Sequence, residues 1–184
     1  KQGLLISKGK YIFLLDGDDA FKRNKVKVVI NSIKNKKVLF LDNYEYNKDK
    51  IKLINRVHKL KKTNLYKTVI NAWPKGVCTS CIALNKDLLN EFFKKIEIKK
   101  FNYLAIDILL TIYCDIKYKV IKSKKNFTKK YYVKDSVDAS YVGFFNKYYW
   151  FRRSEQHDFY SYINKKIKLN IDFLLTKIIN YLLK

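Results

Sequence analysis

The chain has 184 residues, of which 40 are Lys or Arg and 16 are Asp or Glu, giving a net charge of +24, and 48% are hydrophobic. This length fits one domain with a real core, and the apolar content excludes a disordered basic tail. The charge favours an anionic neighbour such as a phosphorylated substrate or an acidic membrane, although a solvated lysine surface explains it equally well. Because Arg, the preferred residue for bidentate phosphate and base recognition, is scarce, we expect no nucleic-acid partner.

Three cysteines and the absence of a secretory signal pattern at the start predict a reducing, cytoplasmic location. No apolar run is long enough to span a bilayer. Cys78 and Cys81 form a C-x-x-C pair, but no second pair follows, so zinc or redox chemistry is disfavoured.

The first half of the chain alternates strand and helix patterns. An apolar strand at residues 11–15 leads into three acids, Asp16, Asp18 and Asp19. Helical spacing at residues 26–33 and a second apolar run at 38–41 follow. Strand, helix and strand in this order predict an α/β fold with a mixed, mainly parallel sheet and helices on its faces.

The rest of the chain begins with a lysine-rich surface stretch, residues 48–67, and a short helix that ends near Pro74. "CTSCIAL" predicts a strand, and "NKDLLNEFFKKI" and "FNYLAIDILLTIYC" predict helices. "KYKVIKS" and "KKYYVK" predict two closing strands. In the last stretch, residues 164–184, the apolar residues Ile171, Leu174, Leu175, Ile178 and Leu182 share one helical face, which predicts an amphipathic basic helix.

The three acids form the densest concentration of negative charge in the chain. They would raise one another's pKa unless a cation or hydrogen-bond donors compensate, and Mg²⁺ or Mn²⁺ takes such oxygen ligands. In an open α/β sheet, ligands bind at the carboxyl ends of strands, where these acids lie. The alternative is that one acid only caps the following helix. A calcium loop fits poorly, because Lys27 stands where its Glu is expected.

The segment "SKGKYIFLLDGDDAFKRNKV" resembles family-2 glycosyltransferases of the GT-A fold, which build bacterial surface polysaccharides. The resemblance implies that Asp16 and Asp18 form the family's Asp-x-Asp pair. In that role they hold a divalent cation, Mg²⁺ or Mn²⁺, on the diphosphate of a nucleotide-sugar donor. It also implies a GT-A fold that lacks the family's N-terminal nucleotide-binding part.

Two further segments resemble the same family in the family's order. "WPKGVCTSCIALNKDLL" is similar to the strand and helix beside the acceptor pocket, which implies acceptor-binding roles for Trp73, Thr79 and Ser80. "FNYLAIDILL" is similar to the helix that carries the catalytic base, which implies that role for Asp107. The family usually has Glu-Asp there, whereas Ile106 precedes the acid in this chain.

A third segment, "FNKYYWFRRSEQHDF", resembles an aromatic and basic element near the family's C-terminus. It implies donor-diphosphate contacts for Arg152, Arg153 and His157, and an acceptor-binding wall at Trp150. The alternative for this segment is an ordinary amphipathic helix.

The resemblance therefore divides the chain into a partial GT-A domain (1–133), an aromatic and basic active-site element (134–163) and an amphipathic basic helix (164–184). It implies an inverting transferase that moves a sugar to a saccharide or lipid-linked acceptor in lipopolysaccharide or other cell-surface polysaccharide synthesis.

The last helix either packs on the domain or contacts the inner face of the plasma membrane peripherally. The alternative functions are a haloacid-dehalogenase-type phosphatase, a basic nucleic-acid-binding protein and an inactive transferase fragment. The sequence does not determine an oligomeric state.

Overall fold

The computed structural model describes residues 2–34, 36–48, 51–54, 78–131, 141, 143, 145–165 and 171–183. Its α-helices are α1 (Gln2–Ile6), α2 (Lys25–Ile33), α3 (Lys86–Lys95), α4 (Ile106–Lys117), α5 (Lys147–Asn164) and α6 (Ile171–Leu182). Its strands are β1 (Tyr11–Phe13), β2 (Ala20–Phe21), β3 (Val38–Lys48), β4 (Ile51–Ile54), β5 (Ile82–Asn85) and β6 (Lys119–Tyr131). Short 3₁₀ turns lie at Thr79–Cys81 and Ile98–Lys100.

The strands form one mixed sheet in the order β1-β5-β3-β6-β2, with β4 paired to β3. The α/β fold expected from the sequence is confirmed, with one difference in detail. Among the described pairings only β3 with β6 is parallel, whereas β1–β5, β3–β5, β2–β6 and β3–β4 are antiparallel. The predicted β1–α2–β3 unit does leave β1 and β3 in the same direction, but the antiparallel strand β5 lies between them.

Strand β3 is the centre of the core because both of its faces are covered. Leu39 and Leu41 join the cluster that includes α3, α4 and α5, whereas Val38 and Phe40 join the cluster beneath α2. This division follows from the alternation of side chains along a strand. A strand buried on both faces reads as a continuous apolar run in the sequence.

The boundaries of α3 and α2 have local causes. The side chain of Asn85 accepts a hydrogen bond from the Leu88 N–H at 2.9 Å, which caps the start of α3. At the C-terminal end of α2, Lys34 adopts the left-handed conformation (φ 40°), and its N–H donates to the Ile30 carbonyl. Both helices place their apolar stripes on the sheet.

Four elements, β3, β4, β6 and α1, differ from the sequence-based predictions. The two predicted closing strands are a single strand, β6, whose pairing with β3 shifts register around Asn43. Strand β3 runs beyond the predicted 38–41, and β4 lies within the lysine-rich stretch. Helix α1 was not predicted, because five residues are too few to show helical periodicity.

Within the described part of the chain, no helix combines the length and the apolar character that crossing a bilayer requires.

Candidate functional site

The three acids occupy a turn directly after β1, and the backbone of this turn is tied to the core. The Leu14 N–H donates to the Ile82 carbonyl at 3.1 Å, so β1 pairing continues to the edge of the turn. The Asp16 N–H donates to Ser80 Oγ at 3.0 Å, and the Asp19 N–H closes the turn on the Asp16 carbonyl at 3.1 Å. The acids therefore lie at the carboxyl end of β1, as the sequence predicted, and these hydrogen bonds hold the backbone of their turn in place.

The acids differ in exposure and in partners. Asp16 and Asp19 are half-buried, whereas Asp18 is exposed. Asp19 accepts a hydrogen bond from the Tyr131 N–H at 3.3 Å and one from the Cys78 thiol at 3.5 Å. Ligand atoms of Asp16, Asp19 and Cys78 all lie within 4.8 Å of one another. The tightest group is thus Asp16 with Asp19 and Cys78, and Asp18 stands outside it.

The electrostatics of the turn favour a cation. Burial raises the pKa of Asp16, the neighbouring charges of Asp19 and Asp18 raise it further, and Lys130 and a hydrogen bond from Thr79 act in the opposite sense. Because mutual repulsion is part of the cause, a bound cation would lower the pKa again and favour the ionised form.

A fully buried polar network supports the turn from below through Ser80. The ammonium of Lys25 donates to the Ser80 carbonyl at 2.5 Å and to Thr128 Oγ1 at 2.7 Å, and it forms an ion pair with Asp42 Oδ1 at 2.9 Å. The Thr128 hydroxyl donates to Asp42 Oδ2 at 2.9 Å, which also accepts the Phe127 N–H at 3.1 Å. Ser80 therefore joins α2, β3 and β6 to the acid turn.

Sequence reasoning missed this network entirely. Lys25 is 0% exposed and Asp42 is 2% exposed, yet in a chain with so many lysines the pattern around Lys25 indicates only a solvated helix face. The one available signal was Asp42, an acid that follows the buried run 38–41 without interruption. Its partner Thr128 lies 86 residues away in sequence.

Asp107 lies in the first turn of α4 and is half-buried. Its Oδ1 accepts a hydrogen bond from the Ile108 N–H at 2.7 Å, which fixes the side chain close to the helix start. An acid in the first helical turn is also favoured by the helix dipole. The structure thus gives the predicted base a defined orientation at the start of a mostly apolar helix.

A cavity of about 570 Å³ lies between the end of β1 and the start of α4. Its lining includes Leu14, Leu15, Ile106 and Leu110. Leu15 immediately precedes Asp16, and Ile106 immediately precedes Asp107. The acid turn and the candidate base therefore belong to chain segments that border one cavity, whose volume is in the range of small-molecule sites.

Helix α5 lies beside the segment that leads into α4. Glu155 accepts hydrogen bonds from the backbone N–H groups of Asn102 and Tyr103 at 2.9 and 2.7 Å. Burial raises the pKa of Glu155, while these hydrogen bonds oppose the rise. This contact connects the aromatic and basic element to the α4 start that carries Asp107.

The structure pairs two of the predicted donor-binding residues with α6. Arg153 Nε donates to Asp172 Oδ1 at 3.1 Å, and His157 Nε2 lies 2.8 Å from Asp172 Oδ2. Burial alone would raise the pKa of Asp172, but the hydrogen bonds from His157 and Arg153 outweigh it and the pKa is lowered. Arg153 would have to release Asp172 to contact a diphosphate. The predicted contacts of Arg153 and His157 with the nucleotide-sugar donor therefore remain predictions.

The remaining predicted residues are distributed as follows. The Arg152 guanidinium lies 4.8 Å from the Tyr141 ring centre, and Trp150 is buried in α5. Thr79, in the 3₁₀ turn Thr79–Cys81, lies beside the acid turn and hydrogen-bonds to Asp16. Trp73 lies outside the described residues. The acceptor roles of Trp73, Thr79, Ser80 and Trp150 therefore remain predictions.

The C-x-x-C pair is part of the core beneath the acid turn. Both thiols are buried, and a hydrogen bond with Cys78 together with burial raises the pKa of Cys81. A raised pKa favours the thiol over the reactive thiolate.

A protein-family model matches the part of the sequence that contains the acid turn and part of the network beneath it. The model for glycosyl transferase family 2 matches residues 1–93, just over half of the chain. The chain belongs to glycosyl transferase family 2. The match contains the acid turn, Ser80, Lys25 and Asp42, so the resemblance stated for "SKGKYIFLLDGDDAFKRNKV" is confirmed at the level of the family. Membership in this family decides against the haloacid-dehalogenase alternative.

Two solved structures of Staphylococcus aureus TarS, residues 1–349, are similar to this family member in fold. The complex with UDP is 13% identical with a TM-score of 0.51, and the match covers 96% of this chain and 46% of that one. The complex with UDP-GlcNAc is 14% identical with a TM-score of 0.50, covering 96% and 51%. This likeness confirms the GT-A α/β fold, and the chain spans about half the length of the TarS chains. No curated protein matches the sequence.

Proposed function

We propose that the chain transfers a sugar, with inversion, from a nucleoside-diphosphate sugar to a saccharide or lipid-linked acceptor. The observation that carries the proposal is the acid turn at the end of β1, which is held by Ser80 inside the family match. TarS supports the donor class, because its structures contain UDP and UDP-GlcNAc. We place the reaction in cell-surface polysaccharide synthesis, including lipopolysaccharide, on the basis of the family resemblance.

The residues of the turn fit a divalent cation. Asp16 and Asp19 offer carboxylate oxygens within 4.8 Å of each other, and their mutual repulsion is relieved by a cation. Carboxylates are the ligands that Mg²⁺ and Mn²⁺ prefer. Asp16 and the exposed Asp18 are the predicted pair, and we add Asp19 to that set. When bound, such a cation stabilises negative charge on the diphosphate leaving group.

The chain's own contribution to the chemistry is proton transfer and positioning. Asp107 takes the proton from an acceptor hydroxyl as the oxygen of that hydroxyl bonds to the anomeric carbon of the donor sugar. The bond from that carbon to the diphosphate oxygen breaks, and the nucleoside diphosphate leaves. The hydrogen bond from Ile108 to Asp107 holds the base in one orientation, which is the condition for efficient transfer.

Groups on α5 and the 3₁₀ turn complete the proposal. Arg152 donates hydrogen bonds to the diphosphate, since charge-assisted hydrogen bonds to phosphate are strong. Arg153 and His157 do the same if they release Asp172. Trp73, Thr79, Ser80 and Trp150 keep the acceptor-binding roles that the family resemblance implies. We place the reaction in the cytoplasm, at the inner face of the plasma membrane, where a lipid-linked acceptor would be presented.

The test measures Mn²⁺ binding by electron paramagnetic resonance and nucleoside diphosphate release from a panel of nucleotide sugars. We expect Asp16→Asn to weaken Mn²⁺ binding and to abolish Mn²⁺-dependent release. We expect Asp107→Asn to bind Mn²⁺ normally but to lower release about 100-fold or more, the usual contribution of a general base. This division separates the cation site from the proton acceptor.

Asp87→Asn is the matched control, because Asp87 is also an acid in the first turn of a helix but is exposed on α3. It should change neither measurement. Normal Mn²⁺ binding in Asp16→Asn would reject the cation site. Unchanged release in Asp107→Asn would reject the proposed base.

A further inference from the structure

Helix α6 is oriented with polar residues inward and apolar residues outward. Asp172 is 4% exposed and Thr176 is 0% exposed. The outward side chains are between 48% and 79% exposed. We call this set the apolar α6 face: Ile171, Leu174, Leu175, Ile178, Tyr181 and Leu182. The sequence pattern alone fits the opposite orientation equally well, with the apolar face packed on the core.

Charged contacts to α5 fix this orientation. Asp172 is held by Arg153 and His157, and Lys177 donates to Ser154 Oγ at 2.9 Å and to Asp158 Oδ1 at 2.7 Å. Rotating α6 to bury its apolar face would break the ion pair at Asp172 and leave Arg153 as an unpaired buried cation, which is strongly unfavourable. The exposed apolar face is therefore a stable property of this helix packing.

A contiguous apolar patch of this kind marks a contact surface. Twelve helical residues extend over about 18 Å, and no charged residue lies within the apolar α6 face. A nucleic acid would gain nothing from an uncharged face. A second copy of the chain would bring two bodies of net charge +24 together, and this repulsion opposes self-association.

We propose that the apolar α6 face inserts into the surface of an anionic lipid bilayer. An interfacial helix buries its apolar side chains at the boundary of headgroups and acyl chains, and anionic lipids attract the basic protein around it. The net charge of +24 complements such a surface, and the exposed Lys165 lies at the end of α5, in the part of the chain that leads toward α6. The proposal concerns binding only and applies while Arg153 and His157 hold Asp172, so it is tested without a nucleotide sugar.

The experiment is cosedimentation of the 184-residue chain with sucrose-loaded vesicles. The vesicles contain phosphatidylcholine alone, or phosphatidylcholine with about a third phosphatidylglycerol. We expect binding to the anionic vesicles to exceed binding to the neutral ones. Leu175→Gln/Ile178→Gln should lower the anionic partition coefficient about tenfold or more, because two apolar side chains lose their contact with the acyl region.

Leu5→Gln/Ile6→Gln is the matched control. These α1 residues are also a pair of exposed apolar side chains, at 76% and 80% exposure, and their replacement should leave the partition coefficient unchanged. An equal loss in both double variants, or no loss in the α6 variant, would overturn the proposal. So would a failure of the chain to bind anionic vesicles, or a concentration-dependent dimer that the α6 variant abolishes.

A second measurement does not depend on removing apolar groups. Tyr181→Trp places an indole on the most exposed position of the apolar α6 face. Its added fluorescence, obtained by difference from the parent chain, should shift to shorter wavelength with anionic vesicles and be quenched by brominated acyl chains. An added signal that neither shifts nor is quenched would overturn the proposal even if the Gln variants fail to fold.

Discussion

Lys25→Met tests whether the buried network beneath the acid turn stabilises the protein. The substitution removes the ion pair with Asp42 at 2.9 Å and the donors to the Ser80 carbonyl and Thr128 at 2.5 and 2.7 Å. It leaves a carboxylate that is 2% exposed without its cation. Removing one partner of a buried pair costs about 3–5 kcal/mol, a large fraction of the total stability of a domain.

The pH dependence of this loss follows from the state of Asp42. Burial already raises the pKa of Asp42 against the opposing effects of Lys25, Thr128 and Phe127. Without Lys25 the pKa rises further, so the folded variant binds a proton at a pH where the unfolded chain has released it. The contribution of Asp42 to the stability of the variant is therefore highest at low pH, and it falls as the pH rises above the unfolded pKa toward the folded pKa. The destabilisation should be smaller at pH 5 than at pH 8.

The assay is urea unfolding followed by circular dichroism at both pH values. Lys27→Met is the control, because Lys27 is an exposed lysine of the same helix and its loss should cost less than about 0.5 kcal/mol. Lys25→Met/Asp42→Leu should recover part of the loss, because replacing both members of a buried pair by apolar groups is often neutral. Equal losses for the two Met variants, or a loss that does not change with pH, would refute the reasoning.

Three further substitutions test other contacts. Asp172→Asn should destabilise the protein at neutral pH, because the lowered pKa of Asp172 stabilises the fold above the pKa of the unfolded chain. This contribution is lost as the pH falls, so urea midpoints from pH 7 to 3 should show a weaker acid dependence in the variant. Glu91→Gln should likewise reduce the loss of stability between about pH 4.5 and 2 in the same measurement. Hydrogen bonds from Lys95, Tyr118 and Lys37 lower the pKa of Glu91 to about 2. Asn85→Ala should cost about 1 kcal/mol in thermal unfolding by removing the cap on Leu88, and a loss near zero would argue against the cap.

Local patterns predicted the elements with strong periodicity and the position of the acid turn. Helices α2, α3 and α4 follow from apolar spacing, and the acids after β1 follow from the order of an apolar run and three carboxylates. Strand β6 was divided in two, because Lys124 and Lys125 interrupt the apolar pattern at a place where the strand continues with a shifted register.

Contacts between distant residues could not be predicted in the same way. Whether Lys25 is buried depends on Asp42 and Thr128, and nothing near Lys25 in the chain distinguishes it from Lys27. The orientation of α6 depends on Arg153 and His157, because a polar residue faces inward only when buried partners are available for it. Local sequence defines the two faces of a helix but not which one is covered.

The parallel pairing of β3 with β6 has a consequence for folding kinetics. Asp42 and Thr128 meet across 86 residues, and Ser80, which holds Asp16, is joined to both strands through Lys25 and Thr128. Contacts between residues this far apart in the sequence form late in folding. Closing the long loop between them costs conformational entropy before the contact itself contributes any stabilisation. The acid turn should therefore acquire its final geometry only after β6 has docked, so that cation binding reports the last step of folding rather than an early one.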